Sequence, residues 1–209
     1  YTVAKALNFK VTEIIIYPFG GITKINDLIN KDINEELLVA VAGVIWQFGY
    51  FLVIMYLNRE GIIRDYTFEI YEEYNRQIIF FNLLPIIPLD GFKILNLLVS
   101  KIFNYNLSNK VSGIVSIISI IIYALLNNYV HNYSYFMIVT VLFFYNYKFI
   151  SNLKYLYNKF LLERYIYNIK FSKTKIINNK LKMYKNKNHI FKVDNKYISE
   201  KRFLRGIFK

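Results

Sequence analysis

The sequence of 209 residues contains no cysteine. Disulfide bonds, thiolate metal sites and cysteine nucleophiles are therefore excluded for these residues. Charge is also scarce, because Asp, Glu, Lys and Arg make up 20% of the chain while hydrophobic residues make up 55%. A water-soluble domain of this size usually carries more charge and less aromatic bulk, so the composition argues against an ordinary cytosolic globule.

Two long stretches of the chain lack charge altogether. Leu37 to Leu57 is a run of 21 residues without Asp, Glu, Lys or Arg, and Val111 to Tyr147 is a run of 37. A helix of the shorter length rises about 30 Å, the thickness of the hydrocarbon layer of a bilayer, and the longer run suffices for two crossings. A third apolar block, Ile78 to Leu98, is interrupted by prolines and charges and predicts a broken span.

These runs predict four membrane-spanning helices, at about residues 37–57, 78–98, 111–128 and 133–149. Residues 58–77 carry both signs of charge and are interpreted as an aqueous loop or helix cap. Near the N-terminus, β-branched residues around Gly20-Gly21 predict two short strands and a glycine turn. The predicted fold class is mainly α: a polytopic helical membrane protein with a small β-hairpin near the N-terminus and a short basic cytoplasmic tail.

Positive charge is concentrated at the C-terminal end. Residues 148–209 hold 17 Lys and Arg against 3 Asp and Glu, whereas residues 1–147 hold 10 against 11. Because Lys and Arg near span ends are retained on the cytoplasmic side, residues 1–150 are predicted to be the membrane-embedded core and residues 151–209 a cytoplasmic tail. The protein is thus expected in a cytoplasmic-type membrane, and the resemblance described below implies a bacterial one.

The tail has little pattern until Asp194-Asn195, where alternating residues predict a small hairpin, followed by a short helix after Ser199. Three roles remain open for its charge: anchoring on anionic lipid, docking of an acidic or membrane-tethered partner, and nucleic-acid binding. Nothing in the tail matches a nucleic-acid-binding fold, so no nucleic-acid partner is expected.

The most informative string lies in the broken span and reads Asn82-Leu-Leu-Pro85-Ile-Ile-Pro88-Leu-Asp90-Gly91. A carboxylate in an apolar run needs a cation, a basic partner or a water-filled cavity, because an uncompensated charge there costs about 3 kcal/mol or more. The prolines unwind the helix, which is tolerated only where protein or trapped water surrounds it. Two interpretations are open: Asp90 forms a structural ion pair with Lys93, or it is a functional carboxylate.

The spacing of Asn82, Pro88, Asp90 and Gly91 resembles the second motif of the site-2 protease family of intramembrane zinc metalloproteases, and within it the stage IV sporulation protein FB type. The resemblance covers most of residues 1–160. Tyr17-Pro-Phe-Gly-Gly21 is similar to the hairpin that follows the catalytic helix of this family, and Ala42-Gly43 to the start of its Ala-Gly-Pro-x-x-Asn motif. The chain departs from the family in having Val44 for proline, Gln47 for asparagine and Phe92-Lys93 for Gly-Arg.

The resemblance implies a zinc protease that cleaves a membrane-tethered regulatory protein of the sigma-factor precursor type. It implies Asp90 as a ligand of Zn²⁺ and Asn82 as a catalytic-site residue that helps to hold the substrate backbone or the oxyanion. The bilayer and membrane inhibitory partners are the further partners that it implies. No other cofactor is implied.

The first motif of the family, His-Glu-x-x-His, does not occur in the 209 residues. It supplies two histidine ligands on one helical face and a general base. The alignment implied by the hairpin places the motif immediately before Tyr1, so we expect a chain truncated just after it, inactive alone and unable to retain zinc. The two histidines present, His131 and His189, have no partner at i, i+4 spacing and are interpreted as surface residues.

One alternative is a non-catalytic polytopic membrane scaffold or a transporter fragment, in which Asp90 is a structural polar hinge. A transporter is expected to show a matching broken helix in a second repeat. The other predicted spans contain neither proline nor an internal charge. The sequence upstream of Tyr1 would discriminate between the two hypotheses.

Overall fold

The computed structural model describes residues 1–17, 20–25, 28–126, 133–167, 169–193 and 196–208. The helices are α1 Thr2–Ala6, α2 Ile33–Arg59, α3 Asp65–Leu83, α4 Asp90–Ile102, α5 Tyr105–Leu126, α6 Tyr133–Ser151, α7 Leu153–Tyr167 and α8 Glu200–Arg205. The strands are β1 Val11–Tyr17, β2 Gly20–Ile25, β3 Thr174–Ile177, β4 Asn188–Val193 and β5 Lys196–Ser199. The predicted fold class, mainly helical with small β elements, is confirmed.

Two described helices, α2 and α5, are long and apolar enough to cross a membrane, and α6 with α7 would provide a third if this pair, bent by 51°, forms one span. In α2 only 6% of the most apolar window is buried inside the chain. Such an outward-facing apolar surface suits lipid and would be a liability in water. The broken block at 78–98 does not qualify by length and composition, so the four-crossing topology remains a prediction.

Residues 65–77 lie in α3, so the aqueous loop or cap predicted for residues 58–77 is wrong over most of its length. The charges that suggested a loop belong to Glu and Arg, which are good helix formers. Glu73 accepts hydrogen bonds from Arg76 and, at 2.8 Å, from Gln77. These contacts at i, i+3 and i, i+4 spacing stabilise the helix that carries them.

The predicted N-terminal hairpin is present as the antiparallel pair β1 and β2, with a bulge between Val11 and Glu13. Its glycines do not form the turn. Gly20 and Gly21 belong to β2 and pair with Tyr17 and Ile16. The connecting residues 18–19 lie outside the described residues.

The described residues form two compact units. The first unit consists of residues 1–36, 96–111 and 148–209, and the second of residues 37–95 and 112–147. The boundary near residue 150 that the sequence predicts remains a prediction, since the first unit draws on three separate stretches.

The first unit contains a three-stranded sheet in which β4 pairs in parallel with β3 and antiparallel with β5. The pair of β4 and β5 confirms the predicted second hairpin, whose residues 194–195 lie outside the described residues, and α8 confirms the helix after Ser199. Strand β3 and helix α7 were not predicted. The sheet and α7 share a core of eight buried side chains: Tyr105, Tyr157, Phe160, Leu161, Ile177, Met183, Phe191 and Leu204.

The interpretation of His189 as a surface residue is wrong, because its side chain is only 2% exposed. Its Nε2 accepts a hydrogen bond from the Tyr184 N–H at 2.9 Å, and its Nδ1 lies 2.9 Å from the Glu200 carboxylate. The ring proton is therefore on Nδ1 and the imidazole is neutral. Burial lowers the pKa of His189, despite the opposing effect of Glu200. His131 lies outside the described residues.

Arg164 of α7 is the centre of a buried polar network in the same unit. It is 3% exposed and donates to the Asn30 side chain at 2.8 Å and to the Glu200 carboxylate at 3.2 Å. It also donates to three backbone carbonyls, those of Tyr184, Lys185 and Lys187. A buried guanidinium is tolerated when its donors are satisfied in this way.

Candidate active site

The break between α3 and α4 comprises residues 84–89, as the two prolines predict. Leu84, the residue before Pro85, adopts an extended backbone with φ −60° and ψ 137°. Proline disfavours the helical region for the residue before it and has no N–H to donate. α3 therefore ends at Leu83, and α4 begins at Asp90 after a cis peptide bond between Ile87 and Pro88.

The middle of the break is buried in protein, and its other residues are half-buried. Ile86 is 0% exposed and packs with Ile120 of α5 and Leu142 of α6, and Ile87 is also buried. Non-helical backbone in a membrane protein requires this environment, because lipid offers no partner to its N–H and C=O groups. The sequence thus positions Asp90 at the end of an irregular segment that is held in place on several sides.

Asp90 is the first residue of α4, and its side chain is 33% exposed. Its Oδ1 accepts a hydrogen bond from the Lys93 ammonium group at 3.0 Å. Residues three apart on a helix are neighbours, so the pair forms within the first turn of α4. The structural ion pair that the sequence suggested is therefore formed, although the Lys93 side chain, 58% exposed, makes it a weak one.

The second carboxylate oxygen of Asp90 faces α2. A Cβ atom placed on Gly43 would lie 3.3 Å from Asp90 Oδ2, which is tighter than most contacts of a real Cβ. Glycine at position 43 therefore lets the carboxylate lie directly against the α2 backbone. This contact gives a physical reason for the Ala42-Gly43 pair.

Gly91 permits an even closer approach. A Cβ atom at this position would lie 2.1 Å from the Leu83 carbonyl oxygen and 2.4 Å from that of Leu84. Any other residue would force the first turn of α4 away from the last turn of α3. Close backbone packing at the break thus requires glycine directly after Asp90.

Asn82 lies in the last turn of α3, half-buried. Its side-chain amide makes no hydrogen bond to the described part of the chain, so both its donor and its acceptor are available to another molecule.

A hydrogen bond between two side-chain amides joins α2 to α3. The sequence analysis identified one of the two residues, Gln47, but not its partner Asn75. Gln47 Nε2 donates to Asn75 Oδ1 at 3.2 Å, and Asn75 is 8% exposed. Both residues line a groove of about 360 Å³ together with three tyrosines and two isoleucines: Tyr50, Tyr71, Tyr74, Ile54 and Ile78. Asn75 precedes Asn82 by seven residues, a spacing that places both on one helix face. This spacing is the sequence signal that could have indicated Asn75.

The described residues do not form a zinc site by themselves. Among them no group of three His, Asp, Glu or Cys side chains is close enough to hold a metal ion. Zinc is usually held by at least three protein ligands. The Asp90 carboxylate has the donor atoms that one such ligand needs.

Comparison with known proteins gives a family-model match that covers this region, and it also gives similar proteins. Residues 60–126 match the sequence model of Peptidase family M50. Stage IV sporulation protein FB of Bacillus subtilis is 36% identical over 94 residues, which are 45% of this chain and 33% of that protein. A zinc metalloprotease of Methanocaldococcus jannaschii is 32% identical over 117 residues, 53% of this chain and 33% of that protein. The matched part thus spans about a third of the length of either relative.

Proposed function

Since the chain belongs to peptidase family M50 and is of the site-2 protease type, we propose that it is part of an intramembrane zinc metalloprotease. The observation that carries the proposal is Asp90 at the start of α4, directly after a proline-broken segment whose central residues, Ile86 and Ile87, are buried in protein. Costly irregular backbone and a carboxylate occur together here in an apolar region, as expected for a functional site.

Asp90 is proposed to provide one ligand of the zinc ion. Gly43 allows the Asp90 carboxylate to lie against α2. Gly91 allows α4 to pack closely on the end of α3. The resemblance implies that the remaining ligands and the general base belong to a His-Glu-x-x-His motif, which the 209 residues do not contain. When bound, zinc lowers the pKa of a coordinated water to about 7 and polarises the peptide carbonyl.

Asn82 is proposed to hold the substrate. Its amide is free of hydrogen bonds to described residues, and it precedes Asp90 by eight residues across the break. The NH₂ group can donate to a substrate carbonyl oxygen, and the amide oxygen can accept from a substrate N–H. A donor aimed at an oxygen that gains negative charge in the reaction stabilises the transition state.

The substrate is proposed to be a membrane-tethered regulatory protein of the sigma-factor precursor type. The tail is proposed to lie on the cytoplasmic side, because residues 148–209 carry 17 Lys and Arg against 3 Asp and Glu and positive charge is retained there. Anionic lipid of the inner leaflet would attract this charge.

The test uses the full-length protein, including any segment encoded before Tyr1, in bacterial cells that also express a tagged membrane-tethered sigma-factor precursor. Asp90→Asn should abolish processing of the precursor, because an amide is a far poorer zinc ligand than a carboxylate. Asp65→Asn is the matched control, since Asp65 is likewise the first residue of a helix and is bound by the Asn58 amide at 3.0 Å. Processing at the wild-type rate by the Asp90→Asn protein would refute the ligand assignment.

A further inference from the structure

The N–H groups of the break between α3 and α4 are all accounted for. Pro85 and Pro88 have none. Leu84 donates to the Phe81 carbonyl at 3.1 Å, Ile86 to Leu84 at 2.8 Å and Leu89 to Ile86 at 2.7 Å. The N–H of Ile87 is the one that bonds to α5, donating to Ser116 Oγ at 3.0 Å.

Ser116 lies on a stripe of three serines in α5 that are spaced four residues apart and are all 0% exposed: Ser108, Ser112 and Ser116. Small residues at this spacing let neighbouring backbone approach a helix closely. Their hydroxyl groups are not equivalent. Ser108 donates to the carbonyl of Asn104, the residue before α5, and Ser112 Oγ has no hydrogen-bond partner in the described chain. Ser116 is the one that accepts from the broken segment.

The bond between Ile87 and Ser116 fixes the segment close to Asp90. Ile87 precedes Asp90 by three residues, and the intervening Pro88 has a restricted φ. α5 is a candidate membrane span, so water is not at hand to replace the serine. A buried N–H without a partner is strongly disfavoured, and the backbone must move to avoid it.

We propose that Ser116 is a positioning residue, whose hydroxyl holds the Leu84–Leu89 segment in place and thereby sets the position of the Asp90 carboxylate. The restraint on the segment follows from the hydrogen bond itself. Its consequence for zinc binding and peptide cleavage rests on the function proposed above. Ser116 touches neither substrate nor metal in this proposal.

The first experiment measures backbone hydrogen exchange of the full-length protein in lipid nanodiscs, in peptides that cover residues 84–92. Ser116→Ala should speed exchange in this segment about tenfold, since it deletes the acceptor of a buried N–H. Ser112→Ala is the matched control: it makes the same change on the same helix, at a hydroxyl that has no partner, and should leave exchange unchanged. Equal exchange in Ser116→Ala and wild type would overturn the proposal.

A second pair of variants applies if Ser116→Ala does not insert stably. In Ser116→Thr and Ser116→Val the new side chains have nearly the same shape and crowd the buried site equally. Only the threonine side chain keeps the hydroxyl group. The threonine variant should retain the slow exchange of the segment, and the valine variant should lose it. The same exchange in both variants would contradict a role for the hydrogen bond.

The second experiment measures cleavage of the tagged precursor in reconstituted vesicles, together with the zinc content of the purified full-length protein. Ser116→Ala should lower kcat by about 10- to 100-fold with KM unchanged, because a displaced metal ligand impairs chemistry more than substrate binding. Zinc content should fall as well, and Ser112→Ala should match wild type in both measurements.

The two proposals fail in different ways. If Asp90→Asn still cleaves the precursor while Ser116→Ala speeds exchange, the proposed function and the catalytic consequence of Ser116 are refuted, and the restraint on the segment stands. If Asp90→Asn is inactive but Ser116→Ala keeps wild-type kcat, zinc content and exchange, only the positioning role is refuted.

Discussion

At the scale of single residues, the site depends on what surrounds one carboxylate. Asp90 bonds to Lys93 through Oδ1 and meets the α2 backbone at Gly43 through Oδ2. The first contact could be read from the sequence, because residues three apart on a helix are neighbours. The second could not, since Gly43 is far along the chain and a glycine has no side chain to indicate a contact.

Lys93 provides a test that separates a metal ligand from a polar hinge. Its pair with Asp90 is half-exposed and should be worth no more than about 1 kcal/mol. Lys93→Met should therefore leave the thermal midpoint nearly unchanged and leave precursor processing within about threefold of wild type. If Asp90 is only a hinge, Lys93→Met and Asp90→Asn should destabilise the protein to the same extent and change processing alike.

At the scale of helices and strands, the local sequence predicted most elements but not all boundaries. Proline and apolar runs indicated α2, the break at residues 84–89 and α5, because each depends on backbone chemistry or on bulk hydrophobicity. The start of α3 at Asp65 was missed because its exposed face is charged. Strand β3 was missed because a parallel strand of four residues is defined by its partner β4, not by its own pattern.

The packing of α4 against α3 predicts a specific effect at Gly91. Gly91→Ala places a Cβ atom within 2.1 Å of a backbone carbonyl oxygen, so the two helices must separate. The expected cost is about 3 kcal/mol or more, measured as a lower thermal midpoint in detergent micelles. Gly49→Ala on α2 is the control, because nothing lies within 4 Å of its added methyl group and alanine is the better helix former.

A thermal midpoint of Gly91→Ala at or above that of wild type would show that the close packing of α4 on α3 is not required. The same result would remove the structural reason given above for the Asp-Gly pair. Loss of stability in Gly49→Ala would instead indicate a general intolerance of α2 and α4 to added methyl groups.

At the scale of the whole molecule, distant stretches of sequence are joined by buried polar contacts. In the first unit Arg164 links Asn30 to Glu200, and Lys185 pairs with Glu36 at 2.6 Å. His189 bonds to Glu200 and to the backbone of Tyr184. The predicted basic tail is therefore part of a folded unit that also contains residues 1–36.

The first unit should lose stability in mild acid because of His189. Burial lowers the pKa of this histidine, and the charges of Arg164 and Lys187 act in the same direction, while Glu200 opposes them. In the unfolded chain His189 therefore binds a proton at about pH 6.5, whereas in the folded chain it binds this proton only at a lower pH. Stability is complete above this pH and declines as the pH falls below it, by up to about 1.4 kcal/mol per pH unit.

The measurement is the thermal midpoint between pH 7.5 and 5.5. His189→Gln should flatten the decline, because glutamine does not titrate, whereas His131→Gln should keep it. Glu200 also has a lowered pKa: burial raises it, but the hydrogen bond from His189 and the charge of Arg164 outweigh that effect. Its contribution is lost only at a pH below about 4.5, outside the tested range. A decline that persists in His189→Gln would refute the assignment.

The sequence by itself determined the membrane-spanning character, the broken helix and the Asn82, Asp90 and Gly91 string, because hydrophobicity, proline and glycine act through local chemistry. The tertiary structure decided what Asp90 faces, which hydroxyl of α5 holds the break, and that His189 is buried and neutral. These properties depend on close contacts between residues far apart in the chain. Such contacts arise only when the backbone is folded, and no local pattern encodes them.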